Sequence, residues 1–162
     1  MKQVRLSKRL KAISELIDKG ASVADIGSDH GLLPVYLVQT DSVKSVIATD
    51  ISSASLEAAR KTAADAGVTE SIKFIVAPGL DRIEPTEVDT IVIAGMGGET
   101  ILGILRDAVW TKNNNIKLIL QPQSKVDLLC RFLYDNDYKL IKTKSVADKD
   151  KWYTVIYATG RF

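Results

Sequence analysis

The chain has 162 residues, of which 46% are hydrophobic and 26% are charged, and its formal net charge is +2. This composition predicts one globular domain over residues 1–162 and excludes a fibrous or disordered protein. No apolar run reaches the roughly 20 residues of a membrane-spanning helix, and the basic N-terminus lacks the apolar stretch of a signal peptide. The single cysteine, Cys130, allows neither an internal disulfide nor a cysteine metal cluster. We therefore expect a cytoplasmic protein with no membrane association and no metal site.

Short β-branched segments alternate with longer amphipathic segments along the chain. Helices are predicted over residues 6–19, 31–39, 53–66, 97–109 and 124–136. Strands are predicted over residues 22–27, 44–50, 72–77, 88–95 and 116–121, followed by a closing antiparallel pair over 138–146 and 151–159. This order predicts an α/β fold in which a mostly parallel sheet has helices on both faces. Ligands bind such sheets at the carboxyl ends of the strands, so the loops there are the candidate site.

The loop after the first strand, DIGSDHG at residues 25–31, is rich in both glycine and acid. A dinucleotide-binding loop starting at Gly27 would need glycines where Asp29 and Leu32 stand. Asp25 and Asp29 would also repel a pyrophosphate. The same two carboxylates would attract a cationic ligand. S-adenosylmethionine has a sulfonium, an ammonium and no phosphate, and it needs glycines only for close approach of the loop.

The loops after the next three strands are predicted to complete a site for this cofactor. Asp50, at the end of the second strand, can accept both ribose hydroxyls, although a nicotinamide dinucleotide would use the same acid. Gly79 and Leu80 are predicted to border the adenine, and the loop at 95–98 to lie beneath the transfer site. The candidate cofactor-binding residues are Asp25, Gly27, Ser28, Gly31, Asp50, Ile51, Gly79, Leu80, Ala94, Gly95 and Met96.

Several of these residues also have a purely structural interpretation. Asp29 is a candidate N-cap for the following helix. His30 is a candidate partner of backbone groups, and Met96 a packing residue. The glycines of residues 95–98 would let a helix start close against the sheet.

The charges are distributed unevenly along the chain. Residues 1–20 carry six cations and two anions, residues 21–111 carry six and thirteen, and residues 112–162 carry ten and five. Basic segments thus flank an acidic centre, which is compatible with a polyanionic partner at the ends and a cationic ligand in the middle. Ordinary solvation of a surface explains the same asymmetry.

Four segments together resemble one known family. They are LSKRL at 6–10, VADIGSDHGLLP at 23–34, IAGMGG at 93–98 and LILQP at 118–122. In order and spacing they are similar to the bacterial tRNA adenine-22 N1-methyltransferases, a class I family that uses S-adenosylmethionine. The resemblance covers nearly the whole chain. It implies a Rossmann-like, seven-stranded sheet with an antiparallel last strand, and methyl transfer to N1 of an adenine in tRNA.

The chain departs from the family at a few positions. Pro78, Gln123 and Thr154 replace residues that are usual in family members, and the helical C-terminal segment of the family is absent after Phe162. Either a shortened chain or a naturally short relative explains this difference in length.

Three residues are candidates for the transfer step itself. Asp29 is placed to hydrogen-bond the exocyclic amine of the adenine, His30 to orient Asp29 or the base, and Gln121 to read the adenine edge. The basic N-terminal helix and the C-terminal strands are candidate tRNA contacts, and Trp152 and Tyr153 are predicted either to stack a base or to pack the last strand.

Other functions remain open at this point. They are methylation of a different RNA, a small molecule or a protein, a non-catalytic module that binds the cofactor, and a nicotinamide oxidoreductase. The oligomeric state is also open.

Overall fold

The computed structural model describes residues 1–162 and contains one seven-stranded sheet. Its strands are β1 (Ala21–Ile26), β2 (Val43–Asp50), β3 (Ile72–Val76), β4 (Thr90–Met96), β5 (Lys117–Pro122), β6 (Tyr138–Asp148) and β7 (Lys151–Gly160). They lie in the order β3-β2-β1-β4-β5-β7-β6. Only β7 runs antiparallel to its neighbours, β5 and β6. The predicted mostly parallel sheet with an antiparallel last strand is therefore confirmed.

The chain has five α-helices, of which the first precedes β1 and the other four connect strands. They are α1 (Lys8–Glu15), α2 (Leu32–Gln39), α3 (Ser53–Ala66), α4 (Gly98–Asp107) and α5 (Val126–Asp135). The helix α3 has the predicted bounds and ends at Gly67, whose φ of 72° gives a left-handed cap. The helix α1 is shorter than predicted at both ends. It starts after Ser7, whose hydroxyl caps Leu10 N–H, and beyond Glu15 the backbone bonds tighten to i→i−3 turns.

Apolar residues fill both faces of the sheet. Twenty-one buried residues form a cluster on the face covered by α4 and α5, and sixteen form a cluster on the face covered by α1 and α2. Successive strand residues point to opposite faces, so Ile26 lies in the first cluster whereas Val23 lies in the second. None of the helices has the length and apolarity needed to cross a bilayer.

The strand order brings the chemically active loops together. β1 pairs with both β2 and β4, so the chain reverses its winding direction at β1. The loops that follow β1, β2 and β4 therefore meet at the carboxyl edge of the sheet, where open α/β sheets bind ligands.

Candidate cofactor and active site

A cavity of about 410 Å³ opens at this carboxyl edge. Nine of its lining residues were predicted from the sequence, namely Asp25, Gly27, Ser28, Asp29, His30, Asp50, Ala94, Gly95 and Met96. The remaining lining residues are Arg9, Leu10, Leu32, Leu33 and Gln123. The structure thus collects most of the predicted cofactor residues and two of the three predicted transfer residues around one space.

Gly27 shapes the floor of the cavity. Its φ of 75° is a left-handed conformation that glycine adopts without strain. A Cβ at this position would lie 2.4 Å from Cε of Met96. The N–H groups of Gly27 and Ser28 both donate to the carbonyl of Thr49, at 2.9 Å each. The loop is therefore tied to the end of β2 and leaves no room for a side chain at Gly27.

Asp25 is a buried carboxylate in the wall of this cavity, with 6% of its surface exposed. Burial raises its pKa to about 7, although the Ser28 hydroxyl, 3.0 Å from Oδ2, and the Arg9 charge both favour the ionised form. The negative charge of Asp50 acts in the opposite direction and adds to the rise in pKa. A cation brought into the cavity would favour the ionised carboxylate.

Asp50 links the first two loops of the site. Its Oδ2 accepts from the N–H of Asp29 at 3.1 Å, and its Oδ1 accepts from the N–H of Ser52 at 2.9 Å. Each carboxylate oxygen retains acceptor capacity beyond these bonds. Asp50 can therefore hold the loop and bind hydroxyl groups of a ligand at the same time.

Asp29 and His30 project from the rim of the cavity. Their side chains are 70% and 69% exposed, and Oδ1 of Asp29 lies 4.0 Å from Nε2 of His30. The backbone of Asp29 has a left-handed φ of 53°. The interpretation of Asp29 as an N-cap is wrong. The N-cap residue of α2 is Gly31, and no side chain accepts a hydrogen bond from the first N–H groups of this helix. The carboxylate of Asp29 is therefore available to a molecule at the rim.

Arg9 is a lining residue whose place in the cavity the sequence did not reveal. It belongs to the basic N-terminal helix that was a candidate tRNA contact, but its Nη1 donates to Oε1 of Gln121 at 2.8 Å. Its N–H donates to Oδ2 of Asp148, and its guanidinium lies 5.7 Å from the centre of the Tyr153 ring. The packing of α1 against the sheet brings the charge of Arg9 close enough to act on Asp25. No local pattern in LSKRL predicts this long-range contact.

Gln121 does not have the predicted access to a substrate edge. It is fully buried, and its Oε1 accepts from Arg9 and from the N–H of Gly95 at 3.1 Å. Its Nε2 donates to the carbonyl of Pro122. The expectation that Gln121 reads the adenine edge is therefore corrected: the amide holds α1 to the end of β4.

Four predicted cofactor residues lie outside the lining of this cavity. Gly31 is buried, where an added Cβ would lie 2.8 Å from Cβ of Ala59, so it serves helix packing. Ile51, directly after Asp50, is 74% exposed. Gly79 and Leu80 line a second cavity of about 590 Å³ against α4. Leu80 is buried in the core, which does not favour the predicted contact of its side chain with an adenine.

Residues 95–98, at the end of β4 and the start of α4, combine the two roles considered for them. Met96 lines the cavity and also packs against the core. A Cβ on Gly98 would lie 2.5 Å from the carbonyl oxygen of Lys125, so this glycine allows α4 to start against the loop after β5. Packing therefore explains Gly98, whereas Gly95 and Met96 face the cavity.

The sheet has the strand order 3-2-1-4-5-7-6, and its switch point holds a glycine-rich acidic loop and, in Asp50, an acid able to bind ribose hydroxyls. These features define a Rossmann-like methyltransferase domain. The family model described as a methyltransferase domain matches residues 6–156. The tRNA (adenine(22)-N(1))-methyltransferase of Bacillus subtilis is 35% identical over 158 residues, which are 98% of this chain and 66% of that protein.

Solved structures agree with this assignment. The crystal structure of the B. subtilis M1A22 tRNA methyltransferase TrmK superposes with a TM-score of 0.92 at 35% identity, over 98% of this chain and 68% of that one. M. capricolum TrmK in complex with S-adenosyl-homocysteine gives a TM-score of 0.84 at 31% identity, over 95% of this chain and 68% of that one. This chain belongs to the tRNA (adenine(22)-N1)-methyltransferase family, and it spans about two thirds of the length of these relatives.

Proposed function

We propose that this protein transfers a methyl group from S-adenosylmethionine to N1 of an adenine in tRNA. The observation that carries the proposal is the buried Asp25 carboxylate in the wall of a glycine-lined cavity at the switch point of the sheet. Its family relatives support the proposal, because the B. subtilis protein is named for this reaction and M. capricolum TrmK was solved with S-adenosyl-homocysteine.

The residues of the cavity fit this cofactor. Asp25 offers a negative charge to the ammonium, and Gly27, which has no side chain, lets the backbone of the loop lie close to the methionyl chain. Arg9, in the same lining, is placed to pair with the methionyl carboxylate. Asp50 can accept the ribose hydroxyls, and the exposed Ile51 beside it offers an apolar contact to the adenine ring.

The acceptor nitrogen needs alignment more than it needs a base. N1 of a neutral adenine has a free lone pair, whereas the methylated base carries a positive charge. S-adenosylmethionine supplies an electrophilic methyl group. Asp29 at the rim accepts a hydrogen bond from the exocyclic amine and stabilises the charge that arrives on the ring, and His30 orients that carboxylate.

Basic residues on α1 and β6 form the proposed tRNA face. α1 packs against β6, where Lys144 lies 3.7 Å from Glu15, and Lys8, Lys11 and Lys144 line one shallow groove. The two basic ends of the sequence therefore meet on one surface. Arg9 does not belong to this set, because it is committed to the cavity.

The proposal is tested by incubating the protein with labelled S-adenosylmethionine and unmodified bulk tRNA. The tRNA is then digested and its nucleosides are separated. We expect label in N1-methyladenosine. Label in another nucleoside would show that the protein methylates a different base. Donor binding without transfer to any RNA would indicate a non-catalytic module.

A further inference from the structure

The tip of the β6–β7 hairpin presents an unusual aromatic side chain. Trp152 lies at this tip and is 76% exposed to solvent, so it does not pack the strand. The adjacent Tyr153 points to the opposite face, where it is half-buried and faces the guanidinium of Arg9. The two aromatic residues therefore have different roles, and Trp152 is the one without a packing partner to explain it.

The neighbours of Trp152 leave the face of the indole open. Its cross-strand partner is Ala147, and the next pair on the same face of the hairpin is Ser145 with Thr154. These side chains are all small. No helix covers this part of the hairpin, since Lys151 and Ala147 beside it are also exposed.

The fold places this tip at the carboxyl edge of the sheet, the edge at which the cofactor cavity opens. β7 pairs with β5 as far as Ile156, opposite Leu120, and Trp152 lies four residues further along, about 13 Å at the usual rise of a strand. That extension runs toward the carboxyl edge of the sheet. Oδ2 of Asp148 accepts from the N–H of Arg9 at 3.1 Å, which fixes the tip to a residue of the cavity wall.

Two exposed lysines at the tip offer contacts to phosphate groups. Lys149 and Lys151 are both exposed and flank Asp150. The other acid of the turn, Asp148, accepts from the backbone N–H of Arg9 and keeps its charge, so the two lysines balance the two acids of the tip. An open aromatic face next to free cations is the combination that binds single-stranded nucleic acid, because the base stacks while the cations meet the phosphates.

We propose that Trp152 stacks on a nucleobase of the tRNA beside the target adenine, with Lys149 and Lys151 contacting the adjacent phosphates. The proposal rests on the proposed function, since it assigns a surface of the same site to its RNA substrate. A target base that leaves its helix exposes its neighbours, and Trp152 replaces the lost stacking contact for one of them.

The test compares Trp152→Ala, Trp152→Phe and Tyr134→Ala with the wild-type protein. Tyr134 is a matched control, because it is also 76% exposed but lies near the end of α5, just before the start of β6, which is the end of the hairpin farthest from its tip. Dissociation constants for fluorophore-labelled, unmodified tRNA are measured by anisotropy, and those for S-adenosylmethionine by calorimetry. We expect Trp152→Ala to weaken tRNA binding about tenfold. Trp152→Phe should lose about threefold or less, and Tyr134→Ala should bind as the wild type does, while donor binding stays unchanged in all three variants.

Tryptophan fluorescence supplies a readout that a structural role would not change. Stacking on a base should quench Trp152, so tRNA should quench the wild type more than it quenches Trp152→Phe. Equal tRNA affinity of Trp152→Ala and the wild type, or a wild type that binds no tRNA, would overturn the stacking proposal. A wild type that binds tRNA yet forms no N1-methyladenosine would refute the proposed function alone, since the binding comparison does not depend on transfer.

Discussion

Asp25 shows how one carboxylate can set both the stability and the ligand preference of the site. A charge buried to this extent is unfavourable without a partner, and the Ser28 hydroxyl and the distant charge of Arg9 compensate for it only in part. The pKa of about 7 places the protonation of Asp25 in the physiological range. Donor binding should therefore weaken as the pH falls below 7, because the ammonium then meets a neutral acid.

Replacing Asp25 by Asn separates these two effects. The folded pKa of about 7 exceeds the ordinary value of 3.8, so the stability contributed by the bound proton is present below pH 3.8 and lost as the pH rises through 7. Asp25→Asn should raise the free energy of unfolding at pH 8, by up to about 4 kcal/mol, and much less at pH 4. It should also weaken donor binding at least tenfold. Urea denaturation at both pH values and calorimetry measure the two effects, with the exposed Asp135→Asn as the control.

Asp29 is expected to act on the acceptor, not on the donor. Asp29→Ala should lower kcat at least a hundredfold and leave the donor Kd within about threefold, because its exposed carboxylate lies at the rim. Alanine is also strained at a φ of 53°, so Asp29→Gly provides a backbone control without the side chain. Single-turnover methylation of tRNA measures the loss. Wild-type rates in Asp29→Gly would remove the carboxylate from the mechanism.

At the scale of the elements, the sequence predicts the periodic features and misses what depends on long-range packing. The bounds of α3 follow from its alanine-rich face and Gly67, which are local signals. The burial of Gln121 does not follow from its sequence, since LILQP reads as a strand that ends in a polar group. Its partner, Arg9, is 112 residues away. Likewise, Gly79 and Leu80 follow a strand as predicted, but together with residues of α4 they line a different cavity.

The helix α1 is expected to tune Asp25 through Arg9. Arg9→Ala removes a positive charge that lowers the pKa of Asp25, so that pKa should rise above about 7. The pH at which donor affinity falls should then move upward, and affinity at pH 7 should drop about tenfold or more. Calorimetry from pH 6 to 9 measures both. Lys8→Ala, an exposed change on the same helix, should leave the profile unchanged. An unshifted profile in Arg9→Ala would show that α1 does not influence the acid.

At the scale of the whole molecule, the fold turns a linear charge pattern into two surfaces. The acidic centre of the sequence supplies Asp25, Asp29 and Asp50 to the cavity. The basic ends meet where α1 packs against β6, joined by the contact between Lys144 and Glu15. A cationic donor and an anionic RNA can therefore approach one edge of the sheet without competing for the same charges.

This arrangement predicts a salt dependence that is specific to one face. In the wild type, the logarithm of the tRNA association constant should fall linearly with the logarithm of the salt concentration. The double variant Lys8→Ala with Lys142→Ala removes two exposed cations from α1 and β6, and its slope should be shallower by roughly one to two units. The double variant Lys44→Ala with Lys61→Ala removes the same charge from β2 and α3, and its slope should equal that of the wild type. Anisotropy titrations between 50 and 300 mM salt, roughly the range in which counterion release dominates, measure the slopes. If the two double variants had the same slope, net charge alone would attract the RNA. A defined RNA-binding face should lose phosphate contacts only when its own lysines are removed.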